Sequence, residues 1–214
     1  MSYTHLLDPR VEIIGLIRNE PVQARSTARL AALLDAAAQI IEEIGYERLT
    51  TAMVAERAGA SIGTVYRYFP DRIALLQSLA ARNAERTIDR VVVAVHDPAH
   101  TNWRDVTQAV FDTYLDAFRT EPGFASIRLG DVLDLRPATT APMNSVLADQ
   151  VYTAIVERFG LVANDEARLA FEAAIEVVDA LVTRAFARDA AGFAVFIDAG
   201  SVAAAALLEP HFDA

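Results

Sequence analysis

Residues 60–72 read ASIGTVYRYFPDR, and how this stretch folds decides how the rest of the chain is read. On a helix from Ile62 to Phe69, the side chains of Ile62, Val65 and Phe69 fall on one side and are expected to pack inward. Gly63, Thr64, Arg67 and Tyr68 then point outward, with Tyr66 at the edge. Glycine costs about 1 kcal/mol relative to alanine inside a helix, so Gly63 reads as a place where another surface comes close. Hydroxyls, phenols and a guanidinium share that outward face. A helix lying in a DNA major groove needs such groups: Thr and Arg for base edges, Tyr and backbone N–H for phosphates. The bland alternative is a surface helix whose tyrosines rest their rings on apolar neighbours and keep their hydroxyls in water.

Outward from this stretch, nearly every segment carries helical periodicity. Leu30, Leu33, Leu34, Ala37, Ile40, Ile41 and Ile44 recur at helical spacing over Thr27 to Ile44, and Gly45 closes that helix. Thr50 or Thr51 caps a short helix carrying Met53, Val54 and Ala58, which ends at Gly59. Ser61 caps the next, so the two make a helix-turn-helix. Pro70 and Asp71 start a long fourth helix that runs toward Val95 and stops at HDPAH. No strand alternation of comparable strength is present.

The stretch LTTAMVAERAGASIGTVYRYFPDRIALLQSL, residues 49–79, resembles the DNA-binding domain of the TetR (tetracycline-repressor-like) family of bacterial transcriptional regulators. With the preceding helix the resemblance covers about residues 27–90. It implies an all-α fold: residues 1–25 as an arm, 26–72 as a three-helix DNA-binding domain, and 73–214 as a helical effector-binding and dimerisation domain entered by the long helix. It also implies that Thr64, Tyr66, Arg67 and Tyr68 sit on the groove-facing helix, with Ser61 and Gly63 at its start. Thr50 or Thr51 would cap the second helix against a phosphate, and Arg72, where the family usually has lysine, reads as a further phosphate contact with forked geometry. The arm carries Arg10, Arg18 and Arg25, with Arg29 just beyond it. Ile13 to Ile17 read as packing on the body, while Arg25 and Arg29 stay open between DNA and surface.

The second half continues in helices. Trp103, Val106, Val110, Phe111, Tyr114 and Phe118 form a stripe that TEPG interrupts, RPATTAP is a second break, and a helix returns from about Asn144 to Phe159. Asn164, Asp165 and Glu166 open a long helix to about Asp189, and a last one runs from about Gly192 to Leu208. These final helices are apolar on more than one side. Phe171, Ile175, Val178, Val182 and Phe186, with Gly200, Ala203 and Leu207, are candidates for a homodimer interface; a single large core is the alternative. The resemblance places an effector cavity among the middle helices, where Trp103, Phe111, Tyr114, Phe118, Met143 and Tyr152 could line it with Thr107 and Arg128 as polar handles. Each of these serves equally as plain core.

Composition sets the bounds. In 214 residues the chain has 19 arginines, no lysine and no cysteine, and a formal charge of -10. Residues 1–95 balance 11 arginines against 11 acids, while residues 96–214 carry 8 against 18. A neutral first half on an acidic second half predicts few phosphate contacts and partners of different kinds for each. No signal peptide is visible, and the late apolar stretch contains Asp198, so the expectation is a cytoplasmic protein without a membrane span. No cofactor and no catalytic residues are expected. His96 and His100 straddle a proline rather than sharing a helix face, and nothing marks Asp131 and Asp134 as a perturbed pair. The functional expectation is a ligand-responsive repressor that binds a palindromic operator as a homodimer and is released by a small hydrophobic or aromatic effector. The alternatives are a regulator that requires its effector for binding, or a ligand-binding protein with a vestigial helix-turn-helix. Arg82, Arg86 and Arg90, four apart, read as a solvated face.

Overall fold

The computed structural model describes residues 24–127 and 143–212. The N-terminal arm, Arg128, Asp131, Asp134 and the RPATTAP segment lie outside them, as do the side chains of Arg25 and Met143. Among the described residues all regular structure is helical. The helices are α1 Ala24–Ile44, α2 Thr51–Arg57, α3 Ile62–Tyr68, α4 Arg72–His96, α5 Trp103–Thr120, α6 Met143–Phe159, α7 Asp165–Arg188 and α8 Ala194–Phe212, with a 3-10 turn at Tyr46–Arg48. The all-α reading holds. The last helix starts later and ends later than its sequence pattern suggests, because Gly192, with φ +88, belongs to the turn before it.

The chain divides into two compact units, Met1–Glu85 with Pro122–Arg136 and Arg86–Glu121 with Pro137–Ala214. Beside the expected bounds of 1–25, 26–72 and 73–214, the start of α4 as far as Glu85 groups with the first unit, and the chain returns to that unit after α5. There Phe124 and Ile127 are buried, and the Gly123 N–H donates to Glu42 at 2.8 Å. Gly123 has φ +72, and a Cβ there would lie 3.0 Å from the Ala38 carbonyl oxygen, so the return requires glycine.

In the first unit, Leu33, Ala37, Ile40 and Ile41 of α1 pack with Val54 of α2, Val65 and Phe69 of the reading segment, and Leu75 and Leu79 of α4. Local chemistry sets each boundary. The Thr50 hydroxyl accepts from the Met53 N–H at 3.2 Å and the Ser61 hydroxyl from the Thr64 N–H at 3.1 Å. Asp71 does the same for Ala74 at the start of α4, at 2.8 Å. Gly59, with φ +58, ends α2 in a left-handed cap, and Ala60 N–H reaches back to the Ala55 carbonyl at 2.8 Å.

In the second unit, Asn102 caps α5 by accepting from Asp105 N–H at 3.1 Å, and Asn164 caps α7 by accepting from Ala167 N–H at 2.7 Å. Arg158 of α6 donates to the carbonyls of Val95, Asp97 and His100, tying down the segment where α4 ends. Of the face expected to be solvated, Arg86 and Arg90 keep 45% and 38% of their side chains exposed while ion-paired, and Arg82 keeps only 13%. Arg86 and Arg90 both pair with Glu121, and Arg90 also with Asp116; in the first unit Arg82 pairs with Asp35 at 2.6 Å. Partners 26 to 47 positions away along the chain leave no local signal in the sequence.

Candidate nucleic-acid interface and ligand cleft

α3 presents Gly63, Tyr66 and Arg67 to solvent, with Thr64 half-exposed beside them. Two groups hold this face in place. Ser61 Oγ lies 2.9 Å from Thr64 Oγ1 as well as capping the helix, and Thr51 Oγ1 donates to the Tyr66 hydroxyl at 3.3 Å, linking α2 to α3. Thr50 is the cap of α2, so of the two alternatives Thr50 caps and Thr51 braces Tyr66.

Two residues lie opposite to expectation. Ile62 is 44% exposed, and Tyr68 is only 3% exposed. The inward side of α3 is Val65, Tyr68 and Phe69 rather than Ile62, Val65 and Phe69, because the Tyr68 hydroxyl finds partners on α1. It lies 2.9 Å from Ser26 Oγ and donates to the Ser26 carbonyl at 3.4 Å. Tyr68 therefore seats α3 against the start of α1, and its ring lies under the Arg67 guanidinium at 5.4 Å. Arg72 is also committed within the unit. Its Nη2 donates to the Tyr46 carbonyl at 2.6 Å, which holds the 3-10 turn against α4. Arg57, in α2, is held by Glu43 in a two-point pair at 2.8 and 2.7 Å. That hydrogen bond lowers the Glu43 carboxyl below its ordinary value and raises the guanidinium.

In the second unit, a cleft of about 640 Å³ opens between α5 and α8. Of the expected pocket residues it gathers Trp103, Thr107 and Phe111. Three others, Tyr114, Phe118 and Tyr152, sit elsewhere, and Arg128 and the Met143 side chain lie outside the described residues. The Tyr114 hydroxyl donates to Asp179, Phe118 stacks on Phe186 at 4.8 Å, and Tyr152 is buried. The Tyr152 hydroxyl accepts from Asn164 N–H at 2.8 Å and donates to the Asn164 carbonyl at 2.9 Å, clamping the turn between α6 and α7. The cleft wall also holds Gln108, Asp112, Ser201, Ala204 and Leu208, which the sequence reading missed. Their partial signal is the i, i+4 pair Gln108–Asp112, joined at 2.9 Å, on the polar flank of the α5 stripe.

Half of the expected interface stripe faces inward. Phe171, Val182, Phe186 and Gly200 are buried within the unit, and Ile175, Val178, Ala203 and Leu207 are half-buried. Gly200 is packed against Phe111 and Leu181, where a Cβ would stand 3.6 and 3.7 Å from them. On helices apolar on two sides, sequence alone does not say which side the chain covers itself. The uncovered side is Leu169, Ala173 and Ala180 on α7, and Val195, Ala199, Val202 and Ala206 on α8. α8 is also, by length and composition, apolar enough to cross a membrane, although little of it is buried.

Residues 33–79 match the family described as bacterial regulatory proteins, tetR family, and residues 101–212 match the tetracyclin repressor-like C-terminal domain. The chain belongs to the TetR family. A solved TetR-family transcriptional regulator from Streptomyces coelicolor is 32% identical, with a TM-score of 0.70 over 85% of this chain and 98% of that one. Among curated proteins, the HTH-type transcriptional repressor KstR of Rhodococcus jostii is 45% identical over 58 residues, 27% of each chain. The nucleoid occlusion factor SlmA of Haemophilus influenzae is 30% identical over 133 residues, 62% of this chain and 58% of that protein. The match thus spans between about a quarter and three fifths of those curated relatives. The all-α fold, with an N-terminal helix-turn-helix and a C-terminal helical domain, is that of the TetR family.

Proposed function

We propose that this TetR-family chain is a ligand-responsive transcriptional regulator, acting in the cytoplasm as a repressor that binds a palindromic operator as a homodimer. The observation that carries the reading is the outward face of α3, where Gly63, Thr64, Tyr66 and Arg67 are offered together and braced by Ser61 and Thr51. Arg67 supplies a fork for a guanine edge, Thr64 a hydroxyl and methyl, and Gly63 lets the backbone come close to the duplex. Buried Tyr68 and committed Arg72 act as supports for that face rather than as contacts. A homodimer doubles the short site one α3 can read.

The effector site is proposed in the second unit, at the cleft lined by Trp103, Thr107 and Phe111. Its rings suit a small hydrophobic or aromatic ligand, and Gln108, Asp112 and Ser201 supply orienting hydrogen bonds. Effector binding shifts the dimer toward a state whose reading helices no longer match the half-sites. Selection of random duplex DNA on the purified protein tests the reading. A palindrome is expected, and Ala204→Trp, which fills the cleft, leaves its binding intact while abolishing release by any ligand that releases the wild type. No enriched sequence from folded, dimeric protein would sink it in favour of a vestigial reading helix.

A further inference from the structure

Among the described residues of the first unit, the exposed large apolar side chains are Ile62, at 44%, and Tyr66, at 45%. Both stand on α3, one turn apart and therefore in one row along the helix. Gly63 and Arg67 form the neighbouring row, so the outward side of α3 sets an apolar row beside a polar one. Val65 and Tyr68 on the opposite side are buried. The fold itself does not require glycine at position 63. Beyond its own neighbours in the helix, a Cβ there would meet nothing nearer than the Ser61 hydroxyl oxygen at 3.8 Å, an ordinary contact. Glycine weakens so short a helix, so the space it leaves beside Ile62 serves a surface outside the chain. The Tyr66 hydroxyl accepts from Thr51 Oγ1 at 3.3 Å, which fixes its ring as the end of the apolar row.

We propose, resting on the reading of α3 as the groove-facing helix, that Ile62 determines operator specificity by packing on the C5 methyl of a thymine. The first residues of a reading helix are those that reach base edges, and Ile62 is the first residue of α3. Its side chain has neither donor nor acceptor, and the thymine methyl is the apolar feature of the major groove. Set against the amino group, carbonyl or ring nitrogen of another base, Ile62 would strip water from a polar atom and offer no hydrogen bond in return. It therefore selects against those bases as well as for thymine. Arg67 lies five residues on, about 7.5 Å along the helix axis, so the thymine falls within about three base pairs of the guanine that Arg67 reads. The charge balance fits. Residues 1–95 carry 11 arginines against 11 acids, so affinity that phosphates do not supply comes from base edges, apolar contacts included.

Deoxyuridine differs from thymidine in that methyl alone, so the DNA itself carries the test. In the palindrome selected on the protein, each thymine is replaced in turn by deoxyuridine, in both half-sites at once, and binding is titrated. One position is expected to respond. Loss of a buried methyl costs about fourfold per half-site, hence about fifteenfold on the whole operator. Ile62→Ala is expected to bind the thymine and deoxyuridine operators alike to within about twofold, and Ile62→Val to keep most of the discrimination. Circular dichroism of both variants confirms that a change at this exposed position leaves the fold intact. An Ile62→Ala protein that stays as sensitive to deoxyuridine as wild type overturns the assignment and keeps the DNA reading. So does an operator in which no deoxyuridine weakens wild-type binding by more than about twofold. No enriched duplex from folded, dimeric protein overturns the DNA reading itself, and the assignment with it.

Discussion

Replacing the Tyr68 hydroxyl with hydrogen removes its bonds to Ser26 and leaves the ring in place. Tyr68→Phe is therefore expected to lower unfolding free energy by about 1 kcal/mol, read by urea titration, and to weaken DNA binding only through looser seating of α3. A direct phosphate contact from Tyr68 would show the reverse: unchanged stability and a large loss of affinity. Asp105 gives a pH signature. Its carboxylate accepts from the Thr101 N–H at 2.9 Å, and from the Thr101 hydroxyl and the Asn102 amide, and these bonds hold its pKa below the ordinary value, the Thr101 N–H most of all. A lowered folded pKa means stability that is present above the ordinary carboxylate range and is lost as pH falls through the folded value. The thermal advantage of wild type over Asp105→Asn should thus be seen at pH 7 and shrink below about pH 4. An advantage independent of pH would contradict that origin. At this scale the sequence shows what local chemistry determines, such as the caps at Thr50 and Ser61 and the inward Val65 and Phe69. It does not show the choice between Ile62 and Tyr68, which a partner 42 positions away decides.

At the scale of elements, α3 has only seven residues, too few to hold as a helix without its caps and packing. Ser61→Ala removes the acceptor for Thr64 N–H and the neighbour of its hydroxyl, at a cost of about 1 kcal/mol. The expected reading is an operator affinity reduced several-fold beside a modest fall in melting temperature; unchanged affinity would show that α3 is set by packing alone. Helix existence and order were legible throughout because the apolar spacing is long and regular in α1, α4 and α5. The facing of α7 and α8 was not. Both are apolar on two sides, and only the contacts of Gly200 and Phe186 reveal which side is core.

Over the whole molecule, charge limits how the duplex is held. The first 95 residues are net neutral, and Arg57, Arg72 and Arg82 are engaged by Glu43, the Tyr46 carbonyl and Asp35. Few arginines remain to neutralise phosphates, so the logarithm of affinity should fall with the logarithm of salt at a slope no steeper than about -5. A much steeper slope would mean that further cations, such as those of the arm, engage the backbone. Affinity must then come mainly from base readout by α3. The central claim is tested most directly by titrating wild type and Arg67→Ala onto the selected operator and onto scrambled duplex, at one salt concentration. The account predicts that Arg67→Ala loses about 1–3 kcal/mol on the operator and almost nothing on scrambled DNA, collapsing the ratio between them. An equal loss on both duplexes, or none on either, would contradict it, because Arg67 would then hold phosphate or stand outside the groove.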